Sequence, residues 1–171
     1  YTAHEKTDLS DIPALPGRPP NLCAGCPHRA TYYAVKQVYG TDTIYPTDIG
    51  CYTLGLLPPI SMADLVICMG SSVSTGCGFS RATDQKVVSF IGDSTFFHAA
   101  IPGLLNAVHN QSDLILVVLD NSGTAMTGFQ PHPGTTESVT GEPAVEVDIR
   151  AVCQAMNVRV EVVDPYDLQK T

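Results

Sequence analysis

Apolar residues fall into two kinds of pattern along this chain. Residues 86–91 and 114–119 are short, almost uninterrupted apolar runs, as expected of strands buried on both faces. Between them, residues 96–109 carry Ala100, Leu104, Ala107 and Val108 at helical spacing. A strand, a helix and a strand in this order form a crossover long enough to join two parallel strands. Three further segments extend the alternation. Residues 29–39 predict a helix with Ala30, Tyr33, Ala34 and Val38 on one face, stopped at Gly40, and residues 43–46 a short strand. Residues 65–69 form a brief apolar run, and Gly70-Ser71-Ser72 opens a helix of small residues reaching Ala82. Residues 149–156 predict a late helix and 158–163 a closing strand. The expected fold is α/β, a mostly parallel sheet covered by helices on both faces.

Residues 1–20 stand apart. Five prolines or glycines among charged and small residues predict a linker or extended lead-in. Residues 21–171 are expected to form one domain, within reach of a single core. Residues 162–168 look like a strand, a turn and the opening of a helix, so the chain is expected to be part of a longer subunit, truncated at its C-terminus.

Composition narrows the function classes. Apolar residues make up 44% and charged residues 15%, a folding composition rather than a disordered one. The net charge is −8, and no stretch concentrates Lys or Arg, which argues against nucleic acid as a partner. No apolar run reaches membrane-spanning length and no signal-peptide pattern is present, so no membrane partner and a cytoplasmic location are expected.

The candidate chemistry lies at strand ends, where open α/β sheets bind ligands. Gly92-Asp93-Ser94 follows the first strand of the unit and Asp120-Asn121-Ser122-Gly123 the second. A carboxylate and an amide oxygen on neighbouring strand ends can share a hard cation such as Mg²⁺, which takes few protein ligands and keeps phosphate oxygens. The helix after Gly92 points its N–H groups at the same place, suited to a diphosphate. Gly92 and Gly123 permit the tight turns required. Either piece alone is more often an ordinary cap or turn. The pair on one unit points to function.

These two segments resemble the thiamine diphosphate fingerprint, which opens with Gly-Asp-Gly and closes one such unit later with Asn-Asn. Ser94 stands for the third glycine and Asp120 for the first asparagine. The resemblance implies a thiamine-diphosphate-binding fold, with Mg²⁺ held by Asp93, the Asn121 side chain and the Gly123 carbonyl.

Six cysteines occur. Cys23 and Cys26 form a CxxC turn, and Cys51 follows in Asp48-Ile49-Gly50-Cys51. A zinc site with His28 as fourth ligand, a redox disulfide and an iron–sulfur cluster all fit this pattern. Cys68, Cys77 and Cys153 lie in apolar or small-residue surroundings and read as core thiols.

In order, Cys-Ala-Gly-Cys-Pro-His-Arg-Ala, Asp-Ile-Gly-Cys-Tyr, Gly-Asp-Ser-Thr-Phe-Phe-His and Val-Val-Asp-Pro-Tyr-Asp resemble the cofactor-binding part of 2-oxoacid:ferredoxin oxidoreductases, most of all those oxidising indolepyruvate. The resemblance runs from about Asn21 onward. It implies a [4Fe–4S] cluster on Cys23, Cys26 and Cys51 with a fourth ligand elsewhere. It also implies cofactor contacts at Gly50, Cys51, Gly92, Asp93, Ser94, Thr95, Asn121, Gly123, Thr124, Met126 and Thr127. The implied reaction is coenzyme A-dependent oxidative decarboxylation of an aryl 2-oxoacid, with electrons passed to ferredoxin. Pyruvate or another 2-oxoacid is the alternative substrate, and a non-catalytic zinc-binding or other metal-binding module the alternative from another class. Other domains of the same subunit and a second subunit are implied partners, and the chain alone is expected to be inactive. His98, in the first turn after the diphosphate loop, is a candidate for contacting the diphosphate or relaying protons. His132 and Pro133 are assigned to a mobile loop rather than to catalysis.

Overall fold

A computed structural model describes residues 10–14, 16–167 and 170. Of the expected lead-in, residues 1–9 and Leu15 lie outside the described residues, as does Leu168 of the expected C-terminal helix opening. The rest of 10–20 is exposed and has no regular structure beyond a turn near its start.

The sheet has three parallel strands in the order β1-β2-β3, Thr43–Ile44, Lys86–Gly92 and Ile115–Leu119. β2 is central, and its residues from Val87 to Gly92 are all buried, which is what a run apolar at nearly every position requires. β1 is shorter than 43–46 because Pro46 has no N–H for a ladder. Pairing continues there as single bridges: the Pro46 carbonyl accepts from Phe90, and the Thr47 N–H donates to Leu65 at 2.9 Å.

Two cores lie on opposite faces of the sheet. On one, helix α1 (Pro27–Tyr39) and a 3-10 turn (Cys51–Leu56) bring Tyr32, Tyr45 and Tyr52 against Val88 and Phe90. On the other lie α2 (Ser71–Ala82), a helical stretch over 93–109 and α5 (Ile149–Ala155). Here Val73, Ile91, Phe96, Ala100, Leu104 and Cys153 pack together. The small residues of α2 let it approach the sheet closely: a Cβ on Gly76 would lie 2.5 Å from Ser89 Oγ. Helices therefore cover both faces, as the apolar pattern predicts.

The stretch 93–109 is α3 (Asp93–Thr95), a π segment (Phe96–Ala100) and α4 (Ile101–His109). Pro102 lies in the first turn of α4; it offers no N–H to the preceding turn, and a π turn is one way to absorb that loss.

Three expectations are corrected. α1 buries His28 and Tyr32, with Val35 and Tyr39 packed beside them, whereas Tyr33 and Val38 are 60% and 68% exposed. The inward face is set by Tyr32, whose ring meets Phe90 at 4.6 Å and whose hydroxyl donates to the Tyr52 carbonyl. Residues 158–163 form no strand, because no ladder to β3 is made; Val158 and Val160 only pack on the second core. Cys68 is exposed rather than a core thiol, because the run 65–69 makes one bridge at Leu65 and then turns. Cys77 and Cys153 are buried as expected.

Candidate functional site

The site forms where β2 and β3 end side by side. Gly92 pairs with Leu119, so Asp93 and the segment from Asp120 onward leave the sheet together. Asp93 is buried. Its Oδ1 accepts from the Ser94 N–H at 2.7 Å, and its Oδ2 from the Asn121 and Gly123 N–H groups at 3.1 and 3.2 Å. One carboxylate thus ties the two strand ends together. Asn121 is half-buried, and its side-chain amide makes no hydrogen bond among the described residues. The Gly123 carbonyl accepts from Ala125 at 2.9 Å and retains a second lone pair. Thr124 Oγ1 donates to Ser94 Oγ at 2.8 Å, closing the loop over the start of α3.

A cavity of about 110 Å³ opens between this loop and the turn at 49–52. Gly50, Cys51, Gly92, Asp93, Ser94, Thr95, Asn121, Gly123, Thr124, Met126 and Thr127 all line it. Every residue assigned to the cofactor from sequence is therefore brought to one place. A larger cleft, about 580 Å³, lies in the long loop after β3 against Ser122, Phe129 and 134–141; it is wide open and borders none of the strand-end chemistry except at Ser122.

Four residues in or around the cavity are not assigned to the cofactor by any sequence motif. Asp48 is fully buried, and its carboxylate accepts from the Gly70, Ser72 and Ile49 N–H groups at 2.5, 3.0 and 3.1 Å. It fixes the loop bearing Gly50 and Cys51 to the start of α2. Tyr52 fills the space beside two glycines, since a Cβ on Gly50 or on Gly92 would lie 2.5 Å from its Cε1. Its hydroxyl donates to the Ile49 carbonyl at 2.8 Å and lies 3.1 Å from Thr95 Oγ1. Burial pushes this phenol up to about 12, against a lowering by the Thr95 hydrogen bond. His28 is 4% exposed and lines the cavity, and its imidazole makes no hydrogen bond among the described residues. Burial pulls its imidazole below the usual value, with Asp93 pulling the other way.

His132 is the fourth. It lies in the loop after β3, as expected, and there its side chain is 4% exposed with Nε2 3.1 Å from Asp93 Oδ2. The only signal in the sequence is Gly134 two residues on, too weak to place it. His98 is exposed in the π segment and does not line the cavity.

Cys26 and Cys51 are half-buried against the first core and Cys23 is exposed. The CxxC turn is closed by the Cys26 N–H donating to the Cys23 carbonyl at 3.3 Å. Burial raises the Cys51 thiol, and the neighbouring Cys26 and Cys23 raise it further. All three are free thiols, with no disulfide between them. Among the described residues, no three Cys, His, Asp or Glu are arranged to hold a metal ion, so neither a zinc site with His28 nor a cluster site is preassembled. The Tyr166 hydroxyl donates to the Gly25 carbonyl at 2.5 Å, which brings residues 164–167 beside the CxxC turn.

The donor set at the strand ends is all oxygen: a carboxylate, an amide and a carbonyl, with hydroxyls of Ser94, Thr95 and Thr124 around them. That suits a hard cation with phosphate oxygens completing its shell. The family model for the C-terminal TPP-binding domain of thiamine pyrophosphate enzymes matches residues 48–171. The chain belongs to this family. The match begins at Asp48 and takes in the whole cavity apart from His28.

The TPP-binding domain has relatives of high identity. It is 56% identical over 168 residues to an indolepyruvate oxidoreductase subunit IorA of Methanothermobacter thermautotrophicus, covering 94% of this chain and 27% of that one. It is 49% identical over 158 residues to the subunit of the same name from Archaeoglobus fulgidus, covering 91% and 25%. The chain thus spans about a quarter of these relatives' length. Among solved structures, a 2-oxoglutarate:ferredoxin oxidoreductase from Magnetococcus marinus superposes with a TM-score of 0.70 at 17% identity, over 87% of this chain and 53% of that one. At that identity the likeness speaks for the fold. No helix among the described residues is long and apolar enough to cross a membrane.

Proposed function

We propose that this domain binds Mg²⁺ and the diphosphate of thiamine diphosphate within an indolepyruvate-type 2-oxoacid:ferredoxin oxidoreductase. The observation that carries the reading is the convergence of Asp93, Asn121 and Gly123 on the cavity that also receives Cys51, Met126 and Thr127. The identity to subunits named for indolepyruvate supports the substrate class.

In this reading Asp93, the Asn121 amide and the Gly123 carbonyl hold Mg²⁺, while Ser94, Thr95 and Thr124 hydrogen-bond phosphate oxygens. Gly50 and Gly92 make room for the Tyr52 ring in the cavity wall, and Met126 and Thr127 would border the thiamine rings. When bound, thiamine diphosphate supplies nucleophilic carbanion chemistry and an electron sink for a decarboxylating 2-oxoacid. Cys23, Cys26 and Cys51 would supply three thiolates to a [4Fe–4S] cluster, completed by a ligand from elsewhere in the complex. Such a cluster would supply one-electron transfer toward ferredoxin, with coenzyme A as the acyl acceptor. Other domains of the subunit and a second subunit complete the site in the cytoplasm, and the domain alone is inactive.

The test is calorimetric titration of thiamine diphosphate into the full-length complex, with and without Mg²⁺, beside an Asp93→Ala variant. Binding is expected to require Mg²⁺ and to vanish in the variant. Equal binding by both proteins overturns the metal loop. Substrate class is tested by coenzyme A-dependent dye reduction with indolepyruvate, pyruvate and 2-oxoglutarate. A preference for either of the latter two overturns the indolepyruvate reading and leaves the cofactor site standing.

A further inference from the structure

The two oxygens of Asp93 are unequally occupied. Oδ1 accepts one hydrogen bond, from Ser94; Oδ2 accepts two, from Asn121 and Gly123, and also faces His132 Nε2 at 3.1 Å. His132 is held there by a built turn. Its carbonyl accepts from the Thr135 N–H and hydroxyl at 2.9 and 2.8 Å. The Gly134 N–H donates to its Nδ1 at 3.0 Å. That bond makes Nδ1 an acceptor, so the ring proton sits on Nε2, the nitrogen facing Asp93. Phe97 packs on the imidazole at 5.7 Å between ring centres, and a Cβ on Gly134 would come 2.8 Å from Phe97 and 3.1 Å from His132. Only glycine fits there without moving the ring.

The Nε2 proton is nonetheless buried without an aligned acceptor, since the short contact to Oδ2 lies off the N–H axis. A donor poised beside a metal-binding carboxylate and short of alignment needs only a small rotation of that carboxylate to form its bond, and such bonds commonly tighten when the ligand arrives. We infer that His132 is a positioning residue that holds Asp93 by Oδ2 and thereby leaves Oδ1 to meet the divalent cation. Metal-ligating carboxylates are oriented by such outer partners, whose loss typically weakens metal binding about 10–100-fold. The inference rests on the reading of Asp93 as a metal ligand.

The test is the half-saturation of the full-length complex by Mn²⁺ in the presence of thiamine diphosphate, read as free Mn²⁺ by electron paramagnetic resonance. His132→Leu keeps the bulk and removes the N–H; His132→Gln returns an N–H near the position of Nε2. Half-saturation is expected to rise about tenfold or more in His132→Leu and to recover most of the way in His132→Gln. Wild-type affinity in His132→Leu overturns the inference, as does an equal loss in both variants, which marks a packing role only. Should His132→Leu fail to fold, Gly134→Ala, which crowds both Phe97 and the His132 ring, takes its place, and wild-type affinity there overturns the inference. Asp93→Ala is run beside them: if it still binds Mn²⁺ as wild type does, the metal-ligand reading itself fails, whereas loss in Asp93→Ala with no change in His132→Leu leaves that reading intact and removes His132 from it.

Discussion

Tyr52 stands where a side chain on Gly92 would begin, its Cε1 2.5 Å from the Cβ position. The contact joins the turn of the first core to the last residue of β2, one position before Asp93. Gly92→Ala is therefore expected to destabilise the domain by about 1–3 kcal/mol through overpacking. Tyr52→Ala in the same chain should relieve the clash, so the double variant is less destabilised than the sum of the two. Urea denaturation of the four proteins measures the coupling, and strict additivity would show that the contact is not felt.

Asp48 links the Cys51 loop to α2 through the Gly70 and Ser72 N–H groups and also accepts from its neighbour Ile49. Asp48→Ala leaves the buried Ser72 N–H and the half-buried Gly70 N–H without an acceptor, at a cost of about 2–4 kcal/mol. Amide exchange at Gly70 and Ser72 should accelerate more than exchange in α4. Uniform acceleration would mean that the anchor has no local role.

The Tyr52 phenol gives stability a dependence on alkaline pH. Its folded value of about 12 lies above the ordinary 10, so the folded state keeps the proton after the unfolded state has lost it. The contribution is complete below pH 10 and is lost as pH rises from 10 through 12, at roughly 1.4 kcal/mol per pH unit across that window. Tyr32 and Tyr45 are raised by burial as well and act in the same direction. Denaturation of Tyr52→Phe at pH 9 and pH 11 should show a shallower loss than wild type, and an unchanged slope would assign the effect to the other two.

Thiol accessibility separates five of the six cysteines. Alkylation of the cluster-free protein should label Cys23 and Cys68 first, since both are exposed. Cys51 should follow more slowly, with a rate that climbs with pH, because burial and its thiol neighbours disfavour its thiolate. Cys77 and Cys153 should label only on unfolding. Peptide mapping over time gives the order, and protection of Cys68 would restore the core assignment that the sequence suggests.

What the sequence by itself determined is the strand–helix–strand unit and the chemistry at its ends. Runs such as 86–91 and 114–119 declare burial on both faces locally, and Gly92-Asp93 and Asn121 follow them at once, so no distant contact is needed to place them. The face of α1 was beyond that reach: Tyr32 and Tyr33 are equally apolar neighbours, and only the seat of Tyr32 on Phe90 selects one. The same holds for residues 158–163, whose alternation is genuine but whose ladder needs a partner that β3 does not provide. His28, Asp48 and His132 reach the site from a helix start and two aperiodic loops, and no local pattern states where such segments travel. Their roles depend on which buried carboxylate or cavity wall each meets after folding, and that is decided by packing across the sheet rather than by neighbours along the chain.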